Sequence, residues 1–493
     1  MIHGCLNLFD ESDLARIDEN IRDVLQNIGL WIQCDEVLDT LKEFGADVDK
    51  AHQVVRFSEN LIDEVIDGQR KRPWKPRRED SPPRGEYLVG VSAQVGQFYY
   101  DFEKRQRRPG NKSDFLEMIH YGDALDRDMS VTTPLVMTEI DPRIEAIEAL
   151  ALTIEHAHRP GIAYEMFTEQ IDHIARIGEV YADNPNLFVG DPNIWMISPL
   201  RMCGRHARLL AKLLQPEFAP RTAIIGSMVI SGGTSPVTIA GSIIVGACEI
   251  LGGWVVVKAL NSEAEMVGGS VSGVLDMRTG IASFSAPEAV LQDLGICELF
   301  RRMYGGHVHA ACWSDYTDAK VPGLQAEYER TFKALAVATI SGDHFNRGTG
   351  LLDSGKVFSP EQLILDQEAG SALWRFSKGI EVTEETMALD VIKKVGIGNE
   401  TTYLQQPHTV RHYRKAQWFP ELLKRAAWQE GDTGQVEEGI LERAHKQFLD
   451  IMSKYTPPEN DPSVIREIRR IVELARKELL SYDSIQKTLN DRN

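Results

Sequence analysis

The residues of this chain that could do chemistry fall in a few short runs, and aromatic rings dominate them. Trp195 lies in Asn193-Ile194-Trp195-Met196, while Trp313 and Tyr316 lie in Cys312-Trp313-Ser314-Asp315-Tyr316. Phe345 follows in His344-Phe345-Asn346-Arg347. Rings converging from separate segments can hold a cation against their faces; each can equally be ordinary apolar packing. Trp195 and Trp313 are the principal candidates for such a cage, with Tyr316 and Phe345 secondary. Arg347 offers a planar fork suited to a carboxylate, or a structural ion pair. Gly232-Gly233-Thr234-Ser235-Pro236 reads as a tight turn into a helix from Val237 to Leu251. Its N–H groups could take an anion, or the turn could be a plain connector. Asn346, His344 and Glu165 complete the polar candidates.

What is missing narrows the chemistry. No CxxC pair, no HxxxH and no Cys/His cluster is expected to offer zinc ligands at useful spacing. The six cysteines are scattered through 493 residues, which fits reduced thiols better than a disulfide frame. No metal is expected to be held by this chain. With Lys+Arg 54 and Asp+Glu 73 the net charge is −19, the wrong sign for meeting nucleic-acid phosphates. A hydrophobic share of 43 % with 26 % charged residues excludes disorder. The start lacks a basic and then apolar leader pattern. The most apolar stretch, 237–260, is interrupted by Glu249, Gly252, Gly253 and Lys258, against the about 20 unbroken apolar residues of a membrane span. A cytoplasmic protein is expected, with that stretch forming a buried helix and then a buried strand.

The elements that must position these residues follow from periodicity. Leu14, Ile17, Ile21, Val24, Leu25 and Ile28 recur at helical spacing, and Gly29 can close that helix. Asp35 to Phe44 reads as a second helix, Val54 to Phe57 as a strand and Leu88 to Phe102 as a hairpin ended by Arg107-Arg108-Pro109-Gly110. The basic, proline-bearing stretch Arg70 to Arg78 is either a connector or a docking patch. Strands are expected near 130–138, 161–167, 187–197, 223–231, 255–260, 266–274, 308–313 and 344–350. Helices fall between them, including Arg143–Ala157 and Leu324–Ile340, the latter with Leu324, Tyr328, Thr331, Leu335 and Thr339 on one face. Alternating strands and helices of this number predict an α/β fold, a (β/α)8 TIM barrel over 128–380, with the candidate residues at its strand ends. Residues 1–127 form an N-terminal helical and hairpin extension, and 381–493 a helical C-terminal extension.

Several motifs, in order along nearly the whole chain, resemble the trimethylamine methyltransferase family in its members without pyrrolysine. They are Gly45-Ala46-Asp47-Val48-Asp49 with Val54-Val55-Arg56-Phe57; Ile197-Ser198-Pro199-Leu200; Gly232-Gly233-Thr234-Ser235-Pro236-Val237-Thr238-Ile239-Ala240-Gly241; Ser314-Asp315 through Gln325-Ala326-Glu327-Tyr328-Glu329; and Lys378-Gly379-Ile380-Glu381-Val382 with Trp418-Phe419-Pro420. The resemblance implies a barrel enzyme that moves a methyl group from an amine to Co(I) of a separate corrinoid protein. The founding enzymes carry pyrrolysine and this chain has only standard residues, which points to quaternary amines, glycine betaine foremost. Proline betaine and carnitine stay open as substrates, as does assembly into a homo-oligomer. A quaternary ammonium leaves as a neutral amine, so its methyl transfer needs no Lewis acid on the heteroatom. No D-x-H-x-x-G cobalamin motif is present, since Asp343 and His344 are adjacent, so the corrinoid is assigned to a partner protein. Two other classes compete: a non-catalytic betaine-binding protein, and a metal-assisted barrel lyase or hydrolase using Glu165, Asp315 and His344.

Overall fold

Two adjacent glycines in a long apolar helix set how the centre of the protein is built. The computed structural model describes residues 6–71, 96–127, 129–218, 221–310, 316–340, 349–397, 401–425, 427 and 436–481. Its central sheet is parallel and four-stranded: β1 (Asn193–Met196), β2 (Thr222–Ser227), β3 (Glu265–Ser270) and β4 (Val308–Ala310). Spatial order follows chain order, with β1 beside β2, β2 beside β3 and β3 beside β4. The connections carry helices, among them α1 (Ile239–Leu260) and α2 (Pro287–Leu299), as parallel neighbours require.

Helix α1 lies directly on one face of this sheet. A Cβ on Gly253 would stand 2.5 Å from Ile225 Cγ2, and one on Gly252 would stand 2.8 Å from Leu30 Cδ1. The glycines therefore permit close approach of the helix to its neighbours. They do not end it, and the expected strand over 255–260 is instead the last part of a 22-residue helix. That helix is long and apolar enough to cross a membrane, but 72 % of its apolar window is buried inside the protein. It is a core helix.

Carboxyls on the two helices reach back to the strands. Glu249 of α1 accepts from Ser227 Oγ at 2.5 Å and from the Leu200 N–H at 3.0 Å. Asp293 of α2 accepts from Ser270 Oγ at 2.6 Å and from the Ser272 N–H at 2.8 Å. Burial pushes the Glu249 carboxyl up to about 8, partly offset by its two hydrogen bonds. A carboxyl raised in the folded state holds its proton there while the unfolded chain has lost it. Its contribution is therefore present at low pH and lost as pH rises from the ordinary glutamate range through about 8. Urea titrations of Glu249→Gln and the parent from pH 5 to 9 should show a fall in stability with pH that is shallower in the variant; identical slopes would contradict this.

The described residues among the first 127 are knitted into the body. The first helix, Glu11–Asn27, is capped by Asp10 and buries Leu14, Ile17, Ile21 and Leu25. Strand Leu30–Ile32 pairs antiparallel with Val54–Arg56 and parallel with Arg201–Met202. One apolar core runs from Leu14 to Leu479. The hairpin is displaced from its expected place: Phe98–Asp101 pairs with Gln106–Pro109, so Arg107 to Pro109 is a strand rather than its end. Residues 88–95 of the expected hairpin lie outside the described residues.

Helix α3 (Leu324–Ile340) occupies the expected span but turns its other face inward. Leu324 and Tyr328 are 72 % and 73 % exposed, whereas Arg330, Lys333, Ala334 and Val337 are buried. Small side chains let this face lie close, and each buried cation finds acceptors: Arg330 at Asp366, Lys333 at two carbonyls. The described strands form no closed barrel; the expected strands over 130–138 and 161–167 do not form, and those segments carry only a parallel bridge between Val131 and Pro160 and the Ala163 N–H to Phe188 O bond. Helices account for most of the described residues after 380, up to Pro462–Leu479.

Candidate functional site

One register row crosses all four central strands: Trp195 on β1 opposite Gly226 on β2, Gly226 opposite Gly269 on β3, and Gly269 opposite His309 on β4. Alternation puts these residues on the face away from α1, because Met196, Ser227, Ser270 and Ala310 form the next row. The two glycines make a shelf for the indole. A Cβ on Gly226 would come within 2.2 Å of Trp195 Cε3, and one on Gly269 within 2.6 Å of Cη2. The ring thus lies flat across β2 and β3, and its Nε1 donates to Asn193 Oδ1 at 2.8 Å. Any larger residue at either glycine would lift it off the sheet.

Beyond the strand ends the indole joins a small apolar cluster. Its members are Val271 and Phe284, with Trp195, Met228, Ala282 and Tyr316 packed against them. The rings of Phe284 and Tyr316 are 5.6 Å apart and inclined at 38°. Gly355, at φ +85°, lies under Tyr316, where a Cβ would meet Cε1 at 2.5 Å. Trp195 and Tyr316, two of the four cage candidates, are therefore brought together. Trp313, Phe345, Asn346, His344 and Arg347 lie outside the described residues. The sequence reading passed over Phe284, Met228 and His309. His309 Nδ1 is 2.8 Å from His307 Nε2, with the two rings nearly perpendicular.

The glycine-rich turn is already internally bonded. The N–H groups of Gly233, Thr234 and Ser235 all point at the Ile230 carbonyl, that of Gly232 at the Ser235 carbonyl, and Thr234 Oγ1 accepts from the Ile230 N–H. Helix α1 starts only at Ile239, after Thr238, and not at Val237. The four turn N–H groups therefore face chain carbonyls and not a ligand. Glu165 is buried beside Gly190, whose built Cβ would be 3.4 Å from Oε1. Burial pushes its carboxyl up to about 7 against the pull of Arg221, and Oε2 has no hydrogen-bond partner. Gly190, Asp191 and Arg221 stand about it.

Contrary to the expectation of no HxxxH, one such pair does exist, His408 and His412. Their rings are 4.3 Å apart, and both meet Glu385. Among the described residues no group of three or more His, Cys, Asp or Glu side chains is placed to hold a metal.

The described rings of Trp195, Phe284 and Tyr316 thus gather in one apolar cluster at the ends of the parallel strands. Comparison with known proteins places the whole chain. The pattern that defines the trimethylamine methyltransferase (MTTB) family matches residues 2–479. Trimethylamine methyltransferase MttB of Desulfitobacterium hafniense (strain DSM 10664 / DCB-2) is 24 % identical over 477 residues, covering 94 % of this chain and 93 % of that protein. Glycine betaine methyltransferase of Desulfitobacterium hafniense (strain Y51) is 24 % identical over 479 residues, covering 96 % and 98 %. Trimethylamine methyltransferase MttB of Methanosarcina barkeri (strain Fusaro / DSM 804) is 26 % identical over 498 residues, covering 96 % of each. The match runs through both the glycine shelf and the ring-bearing segments, and the chain is a methyltransferase that belongs to the trimethylamine methyltransferase family.

Proposed function

We propose that this methyltransferase takes a methyl group from a quaternary amine bearing a carboxylate, with glycine betaine favoured, and passes it to Co(I) of a separate corrinoid protein. Proline betaine, carnitine or another methylamine are the alternatives within the same chemistry. The observation that carries the reading is the Trp195 indole laid across Gly226 and Gly269 beside Phe284 and Tyr316. The names of the relatives, one acting on glycine betaine and others on trimethylamine, support a methylated amine as donor. The succession of parallel strands in chain order supports a (β/α)8 barrel with this cluster at its mouth.

The task of the chain's own residues is to hold, orient and dry the substrate. The ring faces attract the ammonium moderately. Moderation matters, because the positive charge leaves nitrogen as the methyl departs and only stabilisation that survives into the transition state speeds the reaction. An indole fixed by a hydrogen bond and a glycine shelf keeps the C–N bond in one direction, so the acceptor meets the methyl in line. Met228, Val271 and Phe284 exclude water from the reacting centre.

The carboxylate is assigned to Arg347, since the turn at Gly232–Ser235 has its N–H groups committed to chain carbonyls. Arg347→Ala should bind the betaine about tenfold more weakly or worse, the loss of a charge-assisted pair. Choline, which lacks the carboxylate, should bind as it does to the parent. Equal losses for both ligands in titration calorimetry would remove Arg347 from the site.

A further inference from the structure

We propose that Lys333 and Glu329, one turn apart on α3, are positioning residues that clamp together the two segments carrying Phe284 and Tyr316. The inference deepens the reading of the cluster as an amine pocket and rests on it. Lys333 is completely buried, and its Nζ donates to the Phe284 carbonyl at 3.1 Å and the Tyr316 carbonyl at 2.5 Å. Glu329 accepts from the Thr317 hydroxyl and, at 2.8 Å, from the Asp318 N–H. The segments also meet directly: the Phe284 N–H donates to Asp318 Oδ1 at 3.2 Å, Ser285 Oγ to the Tyr316 carbonyl at 3.3 Å, and Ser283 Oγ to Asp318.

A buried ammonium is costly unless its donors are used, and a purely apolar role at this place would suit Met or Leu. Here two carbonyls converge on one point with their negative ends together. A cation between them replaces that repulsion with two charge-assisted hydrogen bonds. The carbonyls belong to the two residues whose rings stand 5.6 Å apart. The position of one ammonium therefore sets the separation of two walls of the cage. Glu329, from the same helix, fixes the chain just after Tyr316, so α3 holds three successive residues of the second segment, Tyr316, Thr317 and Asp318.

The test uses the full-length enzyme with Lys333→Met, which keeps the length of the side chain and removes the charge. Hydrogen exchange at the Phe284 and Asp318 amides should quicken by about tenfold or more. The KM for the amine should rise several-fold, while the KM for the reduced corrinoid protein stays that of the parent. Glu329→Gln should show the same pattern more weakly, and it carries the test should Lys333→Met not fold. Unchanged exchange would overturn the clamp. Quickened exchange with an unchanged amine KM, or an equal rise in both KM values, would overturn its role in positioning the amine. The exchange readout needs no turnover. It therefore decides for or against the clamp even if the parent moves no methyl from any amine, an outcome that would refute the substrate reading instead.

Discussion

Trp195→Ala is expected to weaken binding of the quaternary amine by about 0.5–2 kcal/mol, the range for one cation–π wall, or about two- to thirty-fold. The upper part of the range applies because the half-buried indole packs against buried Val271 and Phe284. Turnover should fall with binding, since the same ring aims the methyl. Removing it leaves the Asn193 amide without its partner, but that residue is half-buried and can reach water, so folding should survive. Titration calorimetry with glycine betaine reads the loss directly. Unchanged binding and turnover would reduce Trp195 to mouth packing.

Gly226→Ala should cost at least as much, from a single added methyl group. Its Cβ would sit 2.2 Å from Cε3 and 2.3 Å from Cδ2 of Trp195, inside any permissible contact, and β2 is held between two parallel neighbours. The indole must move, and with it the face presented to the substrate. In the double variant Trp195→Ala/Gly226→Ala the clash is gone, so binding should fall no further than in Trp195→Ala alone. This non-additivity is the signature of two residues acting through one contact. Gly233→Ala is the control: it lies in the exposed turn, where a Cβ meets nothing closer than 3.4 Å, and should bind substrate like the parent. Strictly additive losses in the double variant would contradict the shelf.

Local sequence carried much of this architecture. The helices Glu11–Asn27 and Leu324–Ile340 and the strands through 193–196, 222–227 and 265–270 follow from apolar period and flanking turn residues. It misled where tertiary contact overrides local preference. Val255-Val256-Val257 after Gly252-Gly253 has the look of a strand after a break, yet these glycines serve the approach of α1 to Ile225 and Leu30. The turn between Asp101 and Gln106 contains no glycine or asparagine. Arg105 takes φ +52° and Asp101 caps Lys104 instead, so nothing in the sequence marked the reversal.

The site shows the same division. Trp195 could be found because it stands at a strand end. Gly226 and Gly269 gave no signal, since their role appears only when the register places them beneath the indole. Phe284 lies beyond the inserted hairpin Gly273–Ser283, outside any search restricted to strand ends. Lys333 was hidden by its helix, whose apolar-looking face is exposed while the face with Arg330 and Lys333 is buried. A charged residue buried among small ones is a signal legible only after the packing is known.

Methyl transfer from a carboxylated quaternary amine to a corrinoid acceptor can be followed in a single incubation. The enzyme is mixed anaerobically with glycine betaine and the corrinoid partner reduced to Co(I), and the cobalt spectrum is followed while the amine is quantified. Co(I) should convert to methyl-Co(III) with one dimethylglycine formed per methyl transferred, and no such conversion should occur when betaine or enzyme is left out. A cobalt spectrum that stays Co(I) with glycine betaine, proline betaine and carnitine, yet converts with trimethylamine, would contradict this transfer.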